Sequence, residues 1–196
     1  MKRTAARGTR ALPQQVRIVG GSLKRSVLPV PDRPGLRPTP QRVRETLFNW
    51  LGQDLTGWRC LDAFAGTGAL GFEAASRGAA AVVMLERDPD LVASLRVVKE
   101  RLGADAVTVE RGDALAWMRG AARSAFELVL LDAPFDEPKT LGLALQAAAH
   151  LVIDGGFVYA EAAQPLRLWP DGLTVWRESR AGAVHFQLLR RKSGNG

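Results

Sequence analysis

From residue 59 onward, short apolar runs alternate with helical stretches, and this alternation constrains the fold more than any other feature. RCLDAF (59–64), AVVMLER (81–87), AVTVERGDA (106–114), ELVLLDA (127–133) and GFVYAEAA (156–163) read as strands. Between them ALGFEAASRG (69–78), DPDLVASLRVVKERLG (88–103), a short piece around Leu115–Arg119 and residues 138–150 read as helices. Near-continuous apolar strands separated by helices imply a parallel sheet covered on both faces. LTVWRESRAGAVHFQLLRR, turned at Arg180-Ala181-Gly182, adds a hairpin at the sheet edge. The expectation is an α/β domain over 53–192: a mainly parallel seven-stranded sheet closed by a C-terminal antiparallel hairpin.

Ligands of such sheets sit beyond the carboxyl ends of the strands. The informative residues are therefore Asp62–Gly68, Glu86, Asp113 and Asp132–Phe135. Gly66, Gly68 and Gly71 form G-x-G-x-x-G after a strand and at the opening of a helix. A pyrophosphate cofactor fits this loop poorly. Asp62 stands four residues before Gly66, and two like charges about 4 Å apart cost roughly 1–4 kcal/mol. A cationic ligand suits the carboxylate. S-adenosyl-L-methionine offers an amine and a sulfonium, and no phosphate. Glu86 would accept from the ribose hydroxyls and Asp113 from the adenine amino group. Phe64, Arg87 and Ala114 flank these positions and are expected to line the same pocket.

The fourth strand ends LVLLDAPFDEP. Exocyclic amines on bases are poor nucleophiles, because the lone pair is delocalised into the ring. Two acceptors on the N–H bonds would orient such an amine. The Asp132 carboxylate and the adjacent carbonyl at Ala133 would supply them. Pro134 would stiffen the turn, and Phe135 would give the base a face to stack on.

Ahead of residue 53 the chain changes character. Residues 1–15 read as a disordered basic arm, and VRIVGGSLKRSVLPV (16–30) as a hairpin around Gly20, Gly21 and Ser22. A Pro-rich connection follows. Thr39 as cap and Pro40 at the first helical position start a helix that ends at Gly52. Residues 1–44 hold eleven Lys or Arg and one acid, whereas the remainder holds 16 bases and 19 acids. The excess of positive charge is thus N-terminal, the pattern of an arm that grips a polyanion. Arg17, Lys24, Arg25, Arg37 and Arg42 are the candidate nucleic-acid contacts, and charge alone does not tell RNA from DNA. The 16–52 extension, with Arg42, Arg44 and Glu45 on its helix, is expected to close over the methionine end of the cofactor.

The stretches RIVGG (17–21), LRPTPQRVRETLFNWL (36–51), LDAFAGTGALGFEAASRGA (61–79) and LDAPF (131–135) resemble the bacterial 16S ribosomal RNA guanine-N2 methyltransferases of the RsmD type. The resemblance implies a Rossmann-like class I methyltransferase with an N-terminal β-hairpin and helix extension. It also implies methylation of one guanine N2 in 16S rRNA on a partly assembled small subunit. The chain departs from the family pattern once: Ala133 stands where the first proline of Asp-Pro-Pro-Phe is expected, which removes a fixed φ. A weakly active or non-catalytic assembly factor is one alternative; an adenine-N6 DNA methyltransferase is another. The single cysteine, Cys60, argues against a disulfide and a multi-cysteine metal site, and the chemistry needs no metal. No membrane span is expected. A cytoplasmic monomer is.

Overall fold

The computed structural model describes residues 15–33, 36–134 and 137–193. The expected basic arm before residue 15, and Phe135, lie outside them. Two short strands, β1 (Gln15–Arg17) and β2 (Val27–Pro29), pair antiparallel. Helix α1 (Gln41–Leu51) follows. The chain then runs β3 (Arg59–Asp62), α2 (Ala69–Ser76), β4 (Ala81–Glu86), α3 (Pro89–Leu102), β5 (Val107–Arg111), α4 (Ala114–Gly120), β6 (Phe126–Leu131), α5 (Pro138–Leu151), β7 (Val152–Ala162), β8 (Leu173–Ala181) and β9 (Val184–Arg191).

The large sheet has the order β5-β4-β3-β6-β7-β9-β8. Strands β3 to β7 are parallel; β9 runs antiparallel to both its neighbours. After β5 the connection returns past β3 to β6, so the order reverses between β3 and β6. That reversal is the topological switch point at which such sheets bind ligands. Asp62 and Asp132 end the two strands that flank it.

One face of the sheet, with Cys60, Met84, Leu130 and Tyr159, packs against α1, α2, α3 and the N-terminal hairpin. The other, with Leu61, Val129 and Val158, packs against α4 and α5. Val16, Ile18 and Leu28 of the hairpin and Val43, Leu47 and Phe48 of α1 share the first core.

Two features differ from the sequence expectation. Thr39 caps nothing: Pro40 occupies the N-cap position of α1 with no side-chain cap bond, because the Thr39 hydroxyl turns to Asp132 instead. Strand β7 begins at Val152 rather than 156. Its register slips between Phe126 and Leu128, where Gly155, at φ 75°, absorbs the irregularity. The hairpin has two short strands as expected, and the chain between them docks on α2: Ser22 N–H donates to Ser76 O, and Ser76 Oγ donates to Gly20 O. Other stops fall as expected. Gly52 ends α1 in the left-handed region at φ 94°, and Asp88 caps α3 by accepting from Asp90 and Leu91.

Candidate active site

Asp62 is 1% exposed at the end of β3. Its Oδ2 accepts from the Gly71 N–H at 2.9 Å, in the first turn of α2. Its Oδ1 is buried and makes no well-formed hydrogen bond among the described residues, although the Phe64 N–H also acts on this carboxyl. The glycines divide the work. A Cβ on Gly71 would lie 3.0 Å from Asp62 Oδ2 and 2.5 Å from Met84 Cε, so only glycine lets this N–H approach. Gly68 caps α2 at φ 77° against the Phe72 ring. Among the described residues a Cβ on Gly66, at φ 52°, would meet the Leu36 side chain at 3.2 Å and Phe64 O at 4.0 Å. Burial, reinforced by the charges of Asp132 and Glu86, pushes the Asp62 carboxyl up to about 7.

Glu86 ties β4 to the glycine turn. Its Oε2 accepts from Gly66 N–H at 3.0 Å, and its Oε1 from the N–H groups of Arg87 and Asp88 at 2.8 and 2.9 Å. A carboxylate has about four acceptor positions, so these bonds leave room for one further hydroxyl rather than for an unencumbered grip on two. Asp113 caps α4 through Oδ1, accepting from Ala116 N–H at 2.7 Å, and is exposed. Its Oδ2 has no partner among the described residues. Ala114, the first residue of α4, is buried beside it. Phe64 is half-buried against the second core. The Arg87 side chain is 68% exposed and pairs with Glu137 at 3.2 Å, which draws it outward.

Asp132 follows β6. Its Oδ2 accepts from the Thr39 hydroxyl at 3.1 Å, and burial lifts its carboxyl to about 6. Ala133 is buried in the second core and Pro134 is exposed. The two aspartates therefore face one space between adjacent strand ends, with the segment before α1 across from them.

Sequence reasoning missed two groups of residues. Glu161, 2% exposed on β7, accepts from the Tyr159 hydroxyl at 2.9 Å. A lone acid inside the apolar strand GFVYAEAA, two residues after a tyrosine on the same strand face, was its only trace. The second group is a buried ion cluster. Arg44 Nη1 donates to Glu73 Oε1 at 2.8 Å and to Arg17 O at 2.9 Å, while its Nε donates to Thr39 O. Glu73 also accepts from Val19 N–H at 2.6 Å and pairs with Arg77 at 3.3 Å. Burial pulls the Arg44 guanidinium down and pushes the Glu73 carboxyl up. Arg44 thus fastens the hairpin and α1 to α2 rather than lying on a helix surface.

The candidate RNA contacts are all exposed, but not grouped. Arg37 and Arg42 lie on either side of Thr39, close to Asp132. Lys24 and Arg25 lie on the hairpin turn, at the far end of α2. Among the described residues no cluster of His, Cys, Asp and Glu has the arrangement of a metal site, and no helix is long and apolar enough to cross a membrane.

The chain as a whole has relatives among known proteins. The family model described as "Conserved hypothetical protein 95" matches residues 16–190. The chain belongs to that family. The ribosomal RNA small subunit methyltransferase D of Escherichia coli is 37% identical over 193 residues, spanning 91% of each chain. That of Haemophilus influenzae is 35% identical, over 90% of this chain and 94% of its own. The solved structure of yhhF from Escherichia coli, described as a methyltransferase candidate, superimposes with a TM-score of 0.80 at 35% identity, covering 91% of this chain and 99% of that one. The fold is the Rossmann-like one of these RsmD-type proteins, and the protein is a methyltransferase.

Proposed function

We propose that the protein transfers a methyl group from S-adenosyl-L-methionine to the exocyclic N2 of a guanine in small-subunit (16S) ribosomal RNA, on a partly assembled subunit. The observation that carries this reading is the Asp62 Oδ1, buried and without a well-formed hydrogen bond among the described residues. An orphaned buried carboxylate oxygen is costly, and a cationic ligand with N–H donors relieves it. The residues present fit such a ligand: Asp62 for the amine, Glu86 with its remaining acceptor position for a ribose hydroxyl, and Asp113 Oδ2 for the adenine amino group. When bound, the sulfonium supplies an activated methyl and leaves as a neutral thioether.

The protein's part is positioning. Asp132 and the Ala133 carbonyl hold the two N–H bonds of the amine. The N2 lone pair forms the new bond to the methyl carbon while the carbon–sulfur bond breaks toward sulfur. The cationic nitrogen then gives its proton to Asp132 or to water. The base must be unpaired or flipped to arrive, at a few kcal/mol. The enzyme acts as a cytoplasmic monomer on this reading.

The test is incubation with labelled S-adenosyl-L-methionine and, separately, unmodified small subunits, free 16S rRNA and DNA. Nuclease digestion and mass spectrometry then identify the product. N2-methylguanosine from the ribosomal substrates is expected. Label in DNA adenine, in protein, or nowhere refutes the proposal, the last favouring a non-catalytic assembly factor.

A further inference from the structure

A buried polar chain runs beneath the acceptor edge, and the transfer chemistry above leaves most of it unused. The β6–β7 register pairs Leu131 with Ala160, which sets Glu161 level with Asp132. Glu161 is 2% exposed, and no cation pairs with it among the described residues. The Tyr159 hydroxyl donates to its Oε1 at 2.9 Å. The Thr39 hydroxyl, itself buried, donates to Asp132 Oδ2 at 3.1 Å. The register sets the Glu161 carboxyl beside that same hydroxyl, whose influence on the carboxyl opposes the upward push of burial.

One hydroxyl carries one proton. Thr39 cannot serve two carboxylates at once, and a buried carboxylate left facing a lone pair is expensive. The conflict vanishes if Glu161 is the neutral acid. Tyr159 then donates to Glu161, Glu161 to Thr39, and Thr39 to Asp132, all in one direction. The surroundings favour this state. Burial raises the Glu161 carboxyl well above the usual range, and Asp132, just after β6, and Asp62, at the end of β3, add negative charge nearby. On β9, Phe186 stands opposite it. Within this polar chain Arg44 of α1 bonds to the Thr39 carbonyl alone, and its charge is taken by Glu73.

We propose that Glu161 is a positioning residue for methyl transfer: held as the neutral acid, it fixes the Thr39 proton on Asp132 Oδ2 and leaves Asp132 Oδ1 as the acceptor for the amine. This rests on the function proposed above and extends it. Oδ1 has no protein donor among the described residues, as that role requires.

The experiment follows kcat from pH 5.5 to 10 on unmodified small subunits, with binding of S-adenosyl-L-methionine measured in parallel. The proteins are the full chain and its Glu161→Gln, Glu161→Leu, Thr39→Val and Thr39→Val/Glu161→Leu variants. Glu161→Leu and Thr39→Val each lower kcat by about 10- to 100-fold, with cofactor affinity unchanged. The double variant is no worse than the worse single one, because both break one chain. Glu161→Gln keeps an N–H donor toward Thr39 and restores most of the kcat that leucine loses. In the unsubstituted protein kcat falls at alkaline pH as Glu161 ionises and reclaims the Thr39 proton; Glu161→Gln lacks that fall. Glutamine as damaging as leucine, additive losses, or a loss confined to cofactor affinity overturns the assignment. Should Glu161→Leu fail to fold, the pH profile of Glu161→Gln and the Thr39→Val effect decide. Absence of transfer by the unsubstituted protein overturns both readings. Transfer with an unaltered pH profile in Glu161→Gln overturns only this one.

Discussion

Asp62 stands under two opposed demands, and both can be measured. Its carboxyl titrates near 7 because burial penalises the ionised form. The group is raised in the folded state, so it costs no stability below about pH 4, and the cost grows as pH rises through about 7. Asp62→Asn keeps an acceptor for Gly71 N–H and removes the charge. Its stability, by urea titration, should match the unsubstituted protein near pH 4 and exceed it by about 2–4 kcal/mol at pH 8. Its affinity for S-adenosyl-L-methionine should fall by about 100-fold or more, since a buried charge partner is lost. In the unsubstituted protein the cationic ligand must displace the Asp62 proton, so calorimetric affinity should weaken as pH drops below about 7. A flat response between pH 8 and 5.5 contradicts this role. At Ala133 the missing ring leaves φ free. Ala133→Pro should raise the methylation rate several-fold by fixing the acceptor loop; a rate unchanged or lower refutes the loop argument.

The joint between the N-terminal extension and the sheet domain depends on Glu73. This carboxylate, wholly buried in α2, takes donors from Val19, Arg44 and Arg77 and so ties together hairpin, α1 and α2. Glu73→Leu leaves Arg44 uncompensated in the core and should cost about 3–5 kcal/mol, read as a lowered urea midpoint. Arg44→Met in the same chain should return part of that loss, because the stranded charge is gone. The contrast shows what the sequence could convey. Gly52, Asp88 and the strand-ending acids were legible because each signal is local: a left-handed stop, a cap, a carboxylate after an apolar run. Thr39 was not, since Thr-Pro is an ordinary helix start and its real partner, Asp132, lies 93 residues away. The anchoring role of Arg44 was hidden for the same reason: its partner Glu73 is brought to it only by the fold. Glu161 was hidden by its strand, where an acid beside apolar residues reads as an outward position.

Across the whole molecule, the fold splits the basic residues that charge counting had grouped. Thr39 contacts Asp132, so Arg37 and Arg42, two and three residues away, lie within about 10 Å of the acceptor edge along the chain. Lys24 and Arg25 sit on the turn held at Ser76, the far end of α2. A helix of this length spans about 12 Å, so these two residues stand well away from the transferred methyl. If the proposed guanine is extruded toward Asp132, its flanking phosphates pass near Arg37 and Arg42. Contacts at Lys24 and Arg25 require RNA that continues down over the hairpin. Arg37→Ala/Arg42→Ala should therefore raise KM for the subunit, leave cofactor affinity unchanged, and lower the slope of log affinity against log salt by about 1.5–2. Lys24→Ala/Arg25→Ala should do less on a short RNA that carries only the target loop. On the intact subunit the second pair should matter as much as the first only if the substrate wraps the hairpin. Equal effects on the short RNA would mean that the base enters from the hairpin side, and that Arg37 and Arg42 do not mark its path.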